Sequence, residues 1–439
     1  MAAIFFNLIY LLLLAVISPA LIYQRWKHGK YRDGWSQKLW GQLPQRQSLE
    51  RQKVWLHAVS VGEVLQLQQV VRELRQRTDS LDILISTTTH TGYQVASEKF
   101  TDCEVAYFPL DFSWSVRNAL RRVQPDLIVL VELELWPNFL STAKQRGIPV
   151  VLINGRLSEK SFRGYKKLKW LFAKLLNQLN HIAVQSQEYR DRFIALGCRL
   201  EIISVTGSIK FDGVQTNRKR PPVEELREFF QLNENEVIFI AGSTQSPEEE
   251  MALEAYSSVL THVPQARLII VPRHPERGAT IAKSITDAGF SVIQRSTGMS
   301  SGSGVLNVGL LDTVGELNDC WALADAAFVG GSFGDRGGQN MLEPAAYGAA
   351  VCFGPNTRNF RQIVELLKSQ HAAETVQNQA ELNQFVLRML SDLSHAREMG
   401  SRAKQLVLAQ QGATDKTVQV ICDTLNASDQ QGQHLENAA

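Results

Sequence analysis

The chain of 439 residues carries almost none of the marks of disulfide, zinc or metal–nucleotide chemistry. Its five cysteines, Cys103, Cys198, Cys320, Cys352 and Cys422, are odd in number and never spaced as C-x-x-C. That points to a reducing compartment and away from a zinc site. Histidine is scarce, at nine residues, and forms no H-x-x-x-H or H-E-x-x-H set. No D-x-D triplet is present to hold a nucleotide through a divalent ion, so no metal is expected. Walker and G-x-G-x-x-G loops are missing, as is any low-complexity tract, which excludes the commonest nucleotide fingerprints and the disordered-repeat classes. Net charge is only +2, but it is unevenly spread. Residues 1–210 hold 28 Lys and Arg against 17 Asp and Glu, a net of +11, and the remainder holds 18 against 27, a net of −9. A basic front half suits an anionic partner: membrane, lipid phosphate or nucleic acid.

What is there begins with an uncharged run, Ala2 to Tyr23 (AAIFFNLIYLLLLAVISPALIY). A bilayer takes ~20 apolar residues, so the run is long enough to span one, the other reading being a buried or interfacial helix. No basic segment precedes it and Ser18-Pro19-Ala20 is a weak cleavage site, so an uncleaved anchor over 1–26 is expected. Arg25, Lys27, Lys30 and Arg32 follow at once, which keeps the downstream chain on the cytoplasmic side. Short apolar runs then alternate with helical patterns: KVWLHAV, DILIST, EVAYFPL, DLIVLVEL, IPVVLING, HIAVQS and EIISVTG, and later VIFIAGS, ARLIIVPR, GFSVIQR, DAAFVGGS and AAVCFGP. These read as buried parallel strands. The polar, Pro-interrupted KFDGVQTNRKRPPVEE between the two series reads as a linker. The expectation is an α/β protein of two tandem doubly wound domains, 27–212 and 213–425, with a polar tail at 426–439. Ligands of such folds sit at the C-terminal ends of strands, which makes the cleft between domains the default site. Lys160 to Leu179 reads as one basic, apolar-striped helix, set either against a membrane surface or against the core.

Several strand ends could carry chemistry. In HAVSVGEV, His57 to Val64, Glu63 follows a strand beside Gly62; it answers a helix dipole or it acts on a substrate. Glu132 and Glu134 fall on one side of a strand end by the two-residue period. Asn154 and Arg156 close the next strand. In the second half Gly242-Ser243-Thr244 and Gly330-Gly331-Ser332 leave strands, and Gly337-Gly338-Gln339-Asn340 opens a helix bearing Glu343. Such loops let backbone N–H groups approach a phosphate. Arg273, His274 and Arg277 in VPRHPER add cations that could hold one.

The motifs HAVSVGEV, ELWPN, NGRLS, TGSIKFD, AGSTQSPEEE, VPRHPER, DTVGEL and FVGGS…RGGQNMLEPAAYG…FGPNTRNF occur in the order and spacing of one family. In them the chain resembles the 3-deoxy-D-manno-octulosonic acid (Kdo) transferases, from its first residues to about 415. The resemblance implies a glycosyltransferase-B fold, two Rossmann-like domains behind an N-terminal transmembrane anchor, facing the cytoplasm at the inner membrane. It implies transfer of Kdo from CMP-Kdo to the lipid A precursor lipid IV-A, inverting, with no metal and no cofactor beyond the donor. The partners it implies are CMP-Kdo, lipid IV-A and inner-membrane lipids, and no nucleic acid. It casts Glu63 as general base. Ser243, Thr244, Arg273, His274, Gly330, Gly331, Ser332, Gly338, Asn340, Glu343 and Lys210 become donor residues, and Glu132, Glu134, Asn154 and Arg156 acceptor residues. Gln245 and Gln339 stand where many members have His. The competing readings are another nucleotide-sugar enzyme of this fold, such as an epimerase, and a membrane-tethered binding protein.

Overall fold

Strands form where leucine and β-branched residues run unbroken, because parallel strands covered on both faces need no polar side. The computed structural model describes residues 2–28, 33–78, 80–301 and 307–436. The chain divides into two units, 1–213 with 411–439, and 214–410.

The first unit holds seven parallel strands: β1 Gln52–His57, β2 Leu81–Thr87, β3 Glu104–Tyr107, β4 Leu127–Val131, β5 Val150–Gly155, β6 His181–Val184 and β7 Ile203–Val205. Their order is β3-β2-β1-β4-β5-β6-β7. The chain therefore winds outward in both directions from β1 and β4, and the C-terminal ends of those two strands flank the point of reversal. Alternate residues of β1 serve opposite faces. Trp55 joins Leu130 and Phe139 on one side, and Val54 and Leu56 join Val64 and Leu67 on the other. The helix Val61–Arg77 covers that second face with Val64, Leu67, Val70, Val71 and Leu74, all buried.

The second unit repeats the scheme with β8 Val237–Thr244, β9 Ala266–Pro272, β10 Ser291–Gln294, β11 Met299–Ser301, β12 Asn307–Leu310, β13 Ala326–Val329, β14 Ala350–Phe353 and β15 Ala373–Thr375. The order is β11-β10-β12-β9-β8-β13-β14-β15, and only β11 pairs antiparallel. Its reversal point lies between β8 and β13. The short β11, β12 and β15 are not among the expected strands, since MSS, NVGL and AET form no unbroken apolar run.

Three expectations need correction. Among the described residues no helix is long and apolar enough to cross a membrane, so the spanning anchor over 1–26 is not upheld. The helix Ala2–His28 instead lies by its first turns against the first unit. Ser113 N–H donates to Asn7 Oδ1 (3.0 Å), Asn7 Nδ2 donates to Ser113 Oγ (2.8 Å), and the Tyr10 hydroxyl donates to Asp111 Oδ2 (2.8 Å). The same Asp111 carboxylate caps the helix Pro137–Gln145 through the N–H groups of Asn138 and Phe139. Lys30 and Arg32 of the expected basic flank lie outside the described residues.

Second, residues 411–425 belong with the first unit, not the second. The helix Ala413–Glu436 sends Ala413, Val418, Ile421 and Leu425 into the core that holds Val54 and Val64. Asp212 fastens its start by accepting from Gly412 N–H (2.7 Å) and from Thr414 N–H. Third, Lys160–Leu179 is two helices, Glu159–Lys166 and Lys169–Leu176. Leu175 and Leu176 enter the core, while Trp170 stands 72% exposed among lysines.

Candidate active site

In the first unit β1 ends at His57, and Ser60 caps the following helix. Glu63 is the third residue of that helix. The Ser60 hydroxyl donates to Glu63 Oε1 (2.7 Å), Val59 N–H donates to Oε2 (2.9 Å), and Glu63 N–H reaches back to Ser60 Oγ (3.4 Å). This is a capping box, written in the sequence as Ser60-x-x-Glu63. It fixes the carboxylate at the helix N-terminus, at the reversal point of the sheet.

The chain leaving β4 brings two more carboxylates to the same place. Glu132 is not a strand residue: its φ of +63° is left-handed, so the two-residue alternation expected for Glu132 and Glu134 does not apply. Both nonetheless feel the charge of Glu63. Glu132 pairs with Arg156 Nε (3.0 Å) and lies 3.8 Å from Lys210 Nζ. Burial raises its proton affinity, and Arg156 and Lys210 work against that rise. Among the described residues Glu134 has no cation and accepts only from Trp136 Nε1 (3.0 Å). Burial, with Glu63 and then Glu132 adding repulsion, pushes its pKa up to about 7. Lys210, expected among the donor residues, stands beside Glu132 in the first unit. Burial lowers its pKa, with Glu132 opposing.

Asn154 is fully buried at φ +53°. Its amide donates to Gln66 Oε1 (2.8 Å), and its Oδ1 accepts from Ile209 N–H (3.4 Å). It ties β5 to the helix that carries Glu63, so its side chain is already engaged. Gln66 went unnoticed in the sequence, although its i+3 spacing from Glu63 puts both on one helix face. His57 is no candidate base. It is buried, stacked on Phe108 at 3.7 Å, and desolvation lowers its pKa to about 3.

The second unit places β8 and β13 side by side, and their exit loops meet. A Cβ on Gly330 would fall 2.6 Å from Thr244 Cα, so only glycine allows the approach. The backbone amides that follow are not open to a phosphate. The buried Glu248 carboxylate accepts from Gly331 N–H (2.7 Å), Ser332 N–H (2.8 Å), Phe333 N–H (3.0 Å) and Gln245 N–H (2.9 Å). The loop is an anion cradle, as its glycines suggested, but its anion is the protein's own. Ser332 is also engaged: its hydroxyl donates to Val329 O (2.7 Å) and accepts from Gly354 N–H (2.8 Å).

Other expected donor residues remain available. The Arg273 N–H bonds to Thr244 O (3.0 Å), while its guanidinium is exposed and has no partner among the described residues. The buried Thr244 hydroxyl also lacks one. His274 lies 3.2 Å from Glu276. Ser243 is buried at φ +54°. Gly338, at φ +83°, bonds to Gly331 O (2.8 Å) and so brings the second glycine loop against the first. Asn340 donates to Glu343 Oε1 (2.9 Å), and burial raises the pKa of Glu343. Arg277, in contrast, is locked in a two-pronged pair with the fully buried Glu249 (2.6 and 3.2 Å).

Comparison with known proteins agrees with this arrangement. Residues 33–213 match the family model described as 3-deoxy-D-manno-octulosonic-acid transferase. The 3-deoxy-D-manno-octulosonic acid transferase of Haemophilus influenzae is 32% identical over 372 residues, covering 84% of this chain and 86% of its own. That of Bordetella pertussis is 32% identical over 384 residues, covering 85% and 87%. Among solved structures, UDP-GlcNAc 2-epimerase from Neisseria meningitidis bound to UDP-GlcNAc matches 86% of this chain and 100% of its own, with TM-score 0.55 and 13% identity. That last likeness is one of fold alone. With two reversal-point loops of the two-domain glycosyltransferase type and relatives aligned over most of its length, the chain belongs to the Kdo transferases, enzymes of glycosyl transfer.

Proposed function

We propose that this transferase takes Kdo from CMP-Kdo and places it on the lipid A precursor lipid IV-A, with inversion and without a metal or other cofactor, on the cytoplasmic side of the inner membrane. The observation that carries the reading is the convergence of Glu63, Glu132 and Glu134 at the C-terminal ends of β1 and β4. In a single displacement the acceptor oxygen bonds to the anomeric carbon of Kdo as the bond to the CMP phosphate breaks. The hydroxyl proton passes to a carboxylate, and CMP leaves with the electron pair. Glu63 is that base in our reading: Val59 N–H and Ser60 O–H hold both its oxygens in place, and its helix is anchored through Gln66 and Asn154. Arg156 and Lys210 beside Glu132 suit the phosphates of a lipid acceptor. The exposed Trp170 among lysines, and Ile4, Phe5, Leu8 and Leu12 exposed on the first helix, suit its acyl part. On the donor side Arg273 is a cation without an ion-pair partner among the described residues, and in our reading it offsets the charge that develops on CMP.

A second assignment of the base has its own support. Glu134 has a pKa of about 7, and a general base works best when its pKa lies near the working pH. Glu63→Gln separates the two. If Glu63 takes the proton, the variant loses ~10²–10⁴-fold in turnover while CMP binding and the fold persist. A folded Glu63→Gln enzyme within a few-fold of wild type transfers the role to Glu134. The assay uses radiolabelled CMP-Kdo with lipid IV-A.

A further inference from the structure

At the N-terminal ends of β13 and β14, the end of the sheet away from the loops just described, the second unit holds a cavity of about 400 Å³. That is within the ~300–1,000 Å³ usual for small-molecule sites. Arg218, Arg397 and Lys404 line it, against a single acid, Asp325. Their partners are unusual. Arg218 donates only to carbonyls, Tyr347 O (2.8 Å) and Ala324 O (2.9 Å). Lys404 donates to Thr216 O (3.1 Å), also a carbonyl. Arg397 has no hydrogen-bond or ion-pair partner among the described residues, and Asp325 accepts from Ile238 N–H (2.9 Å). Among the described residues none of the three cations forms an ion pair. Desolvation lowers the pKa of Arg218, and Asp325 opposes that only in part.

A second cavity, of about 540 Å³, at the same end of the first unit's sheet shows what a self-satisfied charged pocket looks like. There Arg51 pairs with Asp82 (3.6 Å), Lys53 with Glu104 (2.6 Å), and Arg75 with Asp102. Cations and acids match one for one. The cavity of the second unit keeps its cations unmatched, although the back half of the chain carries nine more acids than bases. The sequence also orders them. Arg397, Ser401 and Lys404 are spaced i, i+4, i+7 on the helix Leu393–Ala409, which sets them along one face.

We propose that this cavity binds a small phosphorylated molecule, with Arg397 and Lys404 as its charge partners, Ser401 as a hydroxyl donor, Arg218 as a third cation and Tyr347 and Leu393 as an apolar wall. Guanidinium and ammonium groups free of carboxylates are the groups that hold phosphate. The site shares no residue with the donor loops, so it stands or falls apart from the assignment of CMP-Kdo.

The full chain, saturated with CMP, is titrated with inorganic pyrophosphate by calorimetry at low salt, beside Arg397→Ala/Lys404→Ala. Both side chains reach solvent, and circular dichroism checks the fold of the variant. Saturable binding that the double substitution weakens roughly 10-fold or more, with CMP affinity unchanged, supports the site. A parallel arm uses phosphatidylcholine vesicles with and without phosphatidic acid. Binding that needs phosphatidic acid and the same two residues, in the absence of pyrophosphate binding, places the phosphate on a lipid headgroup. No binding of either probe at millimolar phosphate, or equal binding by wild type and variant, overturns the proposal.

Discussion

Replacing Glu134 by Gln removes a carboxyl of the acidic cluster that, unlike Glu132, forms no ion pair among the described residues. Its pKa of about 7, against an ordinary 4.5, means that the folded chain holds its proton more tightly than the unfolded chain does. At about 1.4 kcal/mol per pH unit the gap corresponds to ~3 kcal/mol if nothing screens it. Solvent reaches part of the side chain, so ~1–2 kcal/mol is the fair expectation. The sign follows from the direction. A raised carboxyl pKa gives stabilisation that is complete below about 4.5 and is lost as pH rises through about 7, where a charge must sit beside Glu63 and Glu132. Gln carries no such charge. Urea unfolding of wild type and Glu134→Gln at pH 5, 6, 7 and 8 therefore gives a stability difference that moves toward the variant by ~1–2 kcal/mol across the series. With Glu63 as base, the variant keeps Kdo transfer within ~10-fold, and its rate profile loses an inflection near 7. A stability difference flat from pH 5 to 8 would show that Glu134 is neither desolvated nor set against Glu63, and the acidic cluster would have to be redrawn.

Two further outcomes test the donor unit. Arg273→Ala weakens CMP binding by ~1.5–3 kcal/mol in calorimetry, the worth of a hydrogen bond to a charged group; unchanged affinity removes Arg273 from the site. Gly330→Ala forces a Cβ to within 2.6 Å of Thr244 Cα and 2.7 Å of Ser243 O. Since backbone cannot yield as a side-chain tip does, the unfolding midpoint drops by the equivalent of ~1–3 kcal/mol; an unmoved midpoint means that β8 and β13 do not meet as described.

The strands that position these residues were legible because a parallel sheet covered on both faces writes itself as unbroken apolar runs, and LIVLV of β4 is the plainest instance. That the candidate residues Glu63, Glu132 and Gly330 follow C-terminal strand ends was legible from the same pattern. What stayed hidden depends on partners far away in sequence. Asn154, expected as an acceptor contact, donates to Gln66, 88 residues earlier. Lys210, which the resemblance made a donor residue, lies 3.8 Å from Glu132, a contact between residues 78 positions apart that no local pattern announces. The helix from Ala413 carries its own apolar stripe, and nothing local says which unit that stripe will cover.

The two acids that follow the reversal-point strands make the same point about chemistry. Glu63 after β1 and Glu248 after β8 each follow small residues at the end of an apolar strand, and each enters the first turn of a helix. Read locally, either could be a dipole-answering cap or a working carboxylate. The neighbouring strand decides. Next to β8, β13 sends out Gly331, Ser332 and Phe333, whose amides close over Glu248 and, with Gln245 N–H from the loop after β8, give it four N–H donors. Such a carboxylate is structural, since no proton donor can reach oxygens so enclosed. Next to β1, β4 sends out Glu132 and Glu134, which repel Glu63 and leave it only the two bonds of its own cap. Amides close the site in one unit and like charges hold it open in the other. That contrast, and not the Glu at the helix start, is what makes Glu63 the better candidate for a base.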